Sequence, residues 1–144
     1  MKIKGCLTSN NQCWSTPKNI YQSFMDRGFF DPCPINPEFD GLKIEWSDKN
    51  FVNPPYNAID EWIDKALIER ERGRTSIFLI PARTDTKWFR KLFEANCYFS
   101  FIQGRLKFSE SKSAPFPSMF VVIDKNNKEP TFNLLTKEER EDNF

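Results

Sequence analysis

The chain of 144 residues is 39% hydrophobic and 28% charged, with a formal net charge of +1 and no histidine. That length suits one domain with one core, because two half-sized cores would each need metals or disulfides to hold. Near-neutral charge gives no global pull toward nucleic acid or membrane, and the missing imidazole removes His-based catalysis and the commonest zinc sites, so no metal is expected. Cys6, Cys13, Cys33 and Cys97 form no CxxC pair, no apolar run is long enough to span a bilayer, and Lys2 and Lys4 are followed by polar residues where a signal peptide would be apolar. A cytoplasmic protein is expected.

Residues 1–13 are polar and aperiodic, as in a loose arm. Thr16-Pro17 signals a helix start, with a hydroxyl for the N-cap and proline at the first helical position; Ile20, Phe24 and Met25 share a face and Gly28 ends the helix. Phe29-Phe30-Asp31 reads as a short buried strand ending in an acid, after which Pro32, Pro34 and Pro37 keep Cys33 to Phe39 a constrained loop. Asp40 to Asp48 fits no single element. Asn50 to Asn53 ends another strand, broken by Pro54-Pro55. Ile59, Trp62, Ile63, Ala66 and Leu67 then follow the helical period, with Asp60 and Glu61 in the first turn, Arg70 and Arg72 in the last, and Gly73 closing it.

Ile77 to Ile80 is a continuous apolar run, as in a strand covered on both faces. A second amphipathic helix, capped by Thr84 or Asp85, turns Trp88, Phe89, Leu92 and Phe93 inward. Tyr98 to Ile102 and Met119 to Ile123 are strands joined by a basic, Ser- and Pro-rich segment without a helix, which suggests an antiparallel hairpin. Residues 125–144 end in an acidic run and read as a polar tail, leaving 1–124 as the folded domain. Trp62 and Trp88 are core residues by their helical positions; Trp46 suits the core or the wall of a ligand site. The alternation predicts an α/β fold with a mostly parallel sheet and a C-terminal antiparallel hairpin. Ligands in such sheets bind beyond the carboxyl ends of the strands, here Asp31, Asn53 and Pro81-Ala82-Arg83.

Asn53-Pro54-Pro55-Tyr56 carries the most chemical information. The Asn amide oxygen and the Pro54 carbonyl can both accept hydrogen bonds from one amino group, and adjacent prolines fix φ while bringing no N–H donor of their own. Tyr56 offers a flat face on which a planar base or amide can stack. Two acceptors draw the nitrogen toward sp³ character and expose its lone pair, as methylation of a weakly nucleophilic amine requires. No titrating base is needed. The plainer alternative is a rigid Pro-Pro turn entering a helix.

The tetrapeptide resembles the catalytic motif of S-adenosylmethionine-dependent amino-methyltransferases, and the likeness extends to the small phage-type DNA N6-adenine methyltransferases. It is carried by Trp14-Ser15-Thr16-Pro17, Phe30-Asp31-Pro32-Cys33, Asp40-Gly41-Leu42 with Trp46, Phe51 to Tyr56, Leu79 to Thr86 with Trp88-Phe89, Gly104 to Phe108 and Ala114 to Met119. The resemblance implies a reduced Rossmann-like methyltransferase domain over residues 1–124, with S-adenosylmethionine as cofactor and double-stranded DNA as partner. By the same resemblance Asn53, Pro54, Pro55 and Tyr56 hold a flipped adenine. Asp31, with Pro32 and Cys33, binds the cofactor's methionine end, where an acceptor suits the α-ammonium group. Trp14, Ser15, Thr16 and Pro17 close over the cofactor, and Asp40 takes its ribose or adenine. A departure is the run Pro32 to Pro37, which stands where many methyltransferases have a Gly-rich turn.

Arg83, Thr84 and Asp85 leave the apolar strand where a substrate-facing loop belongs, although a salt-bridged helix cap explains them equally well. Arg105, Lys107 and Lys112, with Lys87, Arg90 and Lys91 near in sequence and Phe108 and Phe116 interleaved, form the most basic region, suited to phosphate contact. The rival substrates are RNA adenine and a protein glutamine amide, each a planar amine. Other rivals are an inert nucleic-acid-binding module and a fragment acting with a second subunit, such as a homodimer.

Overall fold

The computed structural model describes residues 15–109 and 112–143. Along the chain run α1 (Lys18–Asp26), β1 (Lys49–Val52), α2 (Ile59–Glu71), β2 (Thr75–Pro81), α3 (Lys87–Glu94), β3 (Tyr98–Ile102), β4 (Lys107–Ser109), β5 (Lys112–Ser113), β6 (Ser118–Ile123), β7 (Thr131–Leu135) and α4 (Lys137–Asn143). Five strands form one sheet in the order β1-β2-β6-β3-β7, while β4 and β5 pair as a separate small hairpin. β1 runs parallel to β2 and β3 parallel to β7, with β6 antiparallel to both β2 and β3. Four strands therefore point the same way and β6 alone is reversed. An isolated parallel bridge, Phe30 to Asn50, extends the sheet beyond β1.

Strand alternation sorts the core into two layers. Val52, Phe78, Ile80, Phe99, Met119, Val121 and Ile123 face α2 and α3, meeting Trp62, Ile63, Ala66 and Leu92. Phe51, Leu79, Phe120 and Ile102 face the other way and meet Ile20 and Phe24 of α1. The Phe24 ring stacks on Phe51 at 4.3 Å between centroids, which fixes where α1 lies along β1. Trp46 is buried, stacks on Trp62 at 6.1 Å, and donates its indole N–H to the Gly41 carbonyl at 2.7 Å. It belongs to the core.

A buried carboxylate ties α2 to the segments around it. Glu69 accepts hydrogen bonds from Lys65 (3.0 Å), Arg72 (3.1 Å), Arg74 (2.5 Å) and the Trp46 N–H (3.2 Å). Burial alone would raise its pKa, but the bonds from Arg74, Lys65 and the Trp46 amide outweigh it and hold the group at about 2.

Several expectations need correction. Residues 125–144 are not a plain tail: β7 is the edge strand beside β3, and α4 follows it. β3 and β6 do pair antiparallel, but β6 fills the slot between β2 and β3, so the hairpin lies within the sheet and does not end it. Ser118 to Ile123 is buried apart from half-exposed Val122, which suits an interior strand. Phe29-Phe30-Asp31 contributes only the single bridge. The cap of α3 is Thr86, whose hydroxyl accepts the Phe89 N–H at 3.1 Å; neither Thr84 nor Asp85 takes that place. Phe93 is 45% exposed and stacks on Phe132 of β7, where a core position was expected. Helix α1 starts at Lys18, one residue later than expected, so the N-cap is Pro17, which has no side-chain acceptor, and the Thr16 hydroxyl accepts from Asn53 instead. No helix among the described residues is long and apolar enough to cross a membrane.

Candidate active site

Four co-directional strands put their carboxyl ends along one edge of the sheet, and several of the residues singled out in the sequence gather there. Asp31 follows the bridge residue Phe30, Asn53 follows β1, and Arg83 lies just beyond β2. Reversed β6 begins on this edge, since Ser118 is opposite Pro81, and so brings Phe116 to the same place.

A pocket of about 870 Å³ opens between α1 and this edge, lined by Ser15, Thr16, Lys18, Asn19, Tyr21, Gln22, Asp31, Cys33, Pro34, Ile35 and Asn53. It unites Ser15, Thr16, Asp31 and Cys33, named above for the cofactor, with Asn53, named for catalysis. Pro17 and Pro32 flank it in sequence without lining it. Trp14 lies outside the described residues.

Asp31 is half-buried. Its Oδ1 accepts the Cys33 N–H at 2.9 Å, and it also accepts a hydrogen bond from the Tyr21 hydroxyl. Burial raises its pKa to about 6, against the lowering effect of those two bonds. The Tyr21 phenol is raised too, first by burial and then by the Asp31 charge. The loop after Asp31 is backed by close packing: a Cβ on Gly41 would fall 1.9 Å from the Pro32 carbonyl oxygen and 2.7 Å from the Trp62 ring. Asp40 helps this backing, its Oδ1 accepting the Leu42 N–H at 3.0 Å, and it does not line the pocket. The ribose or adenine role expected for Asp40 gains no support from this position.

Asn53 is 7% exposed and its Nδ2 donates to the Thr16 hydroxyl at 3.0 Å. Pro54 and Pro55 are buried, and the Pro55 carbonyl accepts the Ala58 N–H at 3.0 Å in the turn into α2. Tyr56 is half-buried with the Phe116 ring edge-on at 5.4 Å, and the Arg83 guanidinium lies over that ring at 5.9 Å. Thr84, Asp85, Arg105 and Lys107 are exposed, while the Lys112 side chain lies outside the described set. Arg90 and Lys91 are drawn to acids: Arg90 pairs with Glu94 at 3.3 Å, and Lys91 bridges Asp60 and Asp64 at 2.6 and 2.7 Å.

Lys18, Tyr21 and Gln22 were not anticipated. Their spacing in α1 marks a polar stripe beside the Ile20 and Phe24 face, a signal present in the sequence.

Comparison with curated proteins and with solved structures returned no match. The family model for DNA N-6-adenine-methyltransferase (Dam) matches residues 34–143, which include Asn53 to Tyr56 at the sheet edge and reach through β7 into α4. With the motif, the strand edge and the pocket in one place, the chain belongs to the DNA N-6-adenine-methyltransferase (Dam) family.

Proposed function

We propose that the chain is a phage-type enzyme with a reduced Rossmann-like fold that transfers a methyl group from S-adenosylmethionine to the exocyclic amine of a flipped adenine in double-stranded DNA. The observation that carries this reading is that Asp31 and Asn53 line one pocket at the carboxyl ends of neighbouring chain segments. The cavity lies within the range of small-molecule sites, and its donor set suits a zwitterionic ligand: Asp31 for an α-ammonium, Lys18 for an α-carboxylate. Bound S-adenosylmethionine supplies an electrophilic methyl group on a sulfonium.

The chain's own residues do the rest. Asn53 Oδ1 and the Pro54 carbonyl accept from the target amine and turn its lone pair toward the donor. Tyr56, held edge-on by Phe116, stacks on the base after it leaves the duplex. Arg83, Thr84, Asp85, Arg105, Lys107 and Lys112 are the candidate DNA contacts. The test is incubation of the protein with labelled S-adenosylmethionine and adenine-containing duplex, with N6-methyladenine as the expected product. Label appearing in RNA or protein and absent from DNA would replace this substrate.

Asp31 yields a prediction with a definite sign. A carboxyl with pKa about 6 binds a cation only when ionised, so cofactor affinity should be flat above pH 6 and fall by up to about tenfold per unit below it. Asp31→Asn should weaken binding roughly 10- to 100-fold at pH 7.5 and remove the pH dependence, as titration calorimetry would register. The folded-state pKa is raised from 3.8, so ionisation of Asp31 opposes folding above pH 6 and ceases to do so as pH falls toward 3.8. The same substitution should therefore stabilise the fold by about 2 kcal/mol at neutral pH. Unchanged affinity in the variant would remove Asp31 from the cofactor site.

A further inference from the structure

Thr16 stands outside the matched family segment, residues 34–143, yet its hydroxyl touches the catalytic tetrapeptide. We propose that Thr16 is a positioning residue for the methyl transfer itself, holding the amide of Asn53 in the plane from which its oxygen meets the target amine. This role rests on the methyltransferase reading above and extends it, because the N-terminal segment then serves the acceptor as well as the cofactor pocket.

The geometry has a traceable cause. Thr16 precedes a proline, which confines its backbone to extended conformations. Pro17 sits at φ −52° and ψ 136°, and its carbonyl accepts the Tyr21 N–H at 3.0 Å to begin the first turn of α1. Ile20 and Phe24, four apart, share the buried face of α1, and Thr16 stands two residues before the helix, ahead of the Pro17 N-cap. Phe51 of β1 faces α1, and Asn53 follows two residues later, just past the strand end. Stacking of Phe24 on Phe51 sets the register of helix on strand, and one consequence is the Thr16–Asn53 contact of 3.0 Å.

The chemistry gives the contact a purpose. A primary amide has a donor end and an acceptor end, and an incoming amine can be received only by the oxygen. Donation from Nδ2 to the Thr16 hydroxyl fixes which way round the amide stands, and Oδ1 is its acceptor end. Thr16 also lines the pocket with Asp31, so the residue that positions the acceptor borders the proposed cofactor site. An ordered Ser15-Thr16-Pro17 segment then means an ordered Asn53, and filling the pocket readies the acceptor.

The test compares wild type, Thr16→Val, Thr16→Ala and Thr16→Ser by three readouts: S-adenosylmethionine affinity by calorimetry, the single-turnover rate of methyl transfer to duplex DNA, and hydrogen exchange of the Asn53 side-chain amide by NMR. Removing the hydroxyl should lower the single-turnover rate at saturating cofactor roughly 10- to 100-fold, a loss larger than any fall in cofactor affinity from the altered pocket wall. Serine should restore the rate, and the Asn53 amide protons should exchange faster in the valine and alanine variants alone. A valine or alanine variant with wild-type rate overturns the role. So does a loss confined to cofactor affinity, or an Asn53 amide that exchanges equally fast in every protein. Wild-type protein that transfers no methyl group to DNA would overturn the assigned reaction and this role together, whereas an active wild type with unaffected variants overturns the role alone.

Discussion

Asn53→Ala should lower the rate of methyl transfer by roughly 10²–10³-fold, the usual effect of deleting one preorganised hydrogen-bonding group from a reacting centre. Cofactor affinity should hold within about threefold, because Asp31 and the α1 side chains remain to bind it. The loss should appear in single-turnover rates and not in the DNA concentration needed for half-saturation. Asn53→Asp should retain more activity than Asn53→Ala. A carboxylate keeps an acceptor for the amine, and the Thr16 hydroxyl can reverse its role and donate to it. An alanine variant transferring methyl groups at the wild-type rate would remove the tetrapeptide from the mechanism.

Glu69→Ala should have the largest effect on stability, about 3 kcal/mol, equivalent to a fall of about 10 °C in Tm. The wild-type carboxylate is fully buried and ionised, and its folded pKa of about 2 lies below the unfolded 4.5. That sign means the stabilisation is fully present above pH 4.5 and is lost as pH falls through 2. The gap between wild type and variant in urea melts should therefore close as the pH drops from 4.5 toward 2. Glu69→Gln should fall between the two, since it keeps the shape and loses the charge. A constant gap across that range would show that packing, and not charge, holds the site. The damage should also reach the pocket. Glu69 anchors the Trp46 backbone, the Trp46 indole anchors Gly41, and Gly41 backs the Pro32 loop behind Asp31.

What could be read from the sequence was whatever local pattern determines. Asp31 and Asn53 were legible because each follows a short apolar stretch and is succeeded by proline, which marks an element's end wherever it lies in space. Helix α2 declared itself by its period and by Gly73, which sits at φ +83°. Tyr21 was not legible as a partner of Asp31, since that contact exists only after Phe24 docks on Phe51. β7 was missed because Thr131 to Leu135 is short and its central residues are exposed; its strand state comes from pairing with β3. Asp40, assigned by likeness to the cofactor's ribose or adenine, accepts the Leu42 N–H within its own turn and does not line the pocket.

The single reversed strand has a consequence for how the chain assembles. β2 and β3 never touch as a pair; they are joined through β6, which is the fourth of the five sheet strands to leave the ribosome. Until Ile123 has been made, the apolar β2 run has one open side and β3 has two, and nothing seals them against other nascent chains. Sheet closure must wait for distant parts of the sequence, a topology associated with slow folding. The vulnerable species during synthesis is therefore a chain that already carries both helices of one layer and three strands, but lacks the strand that joins them.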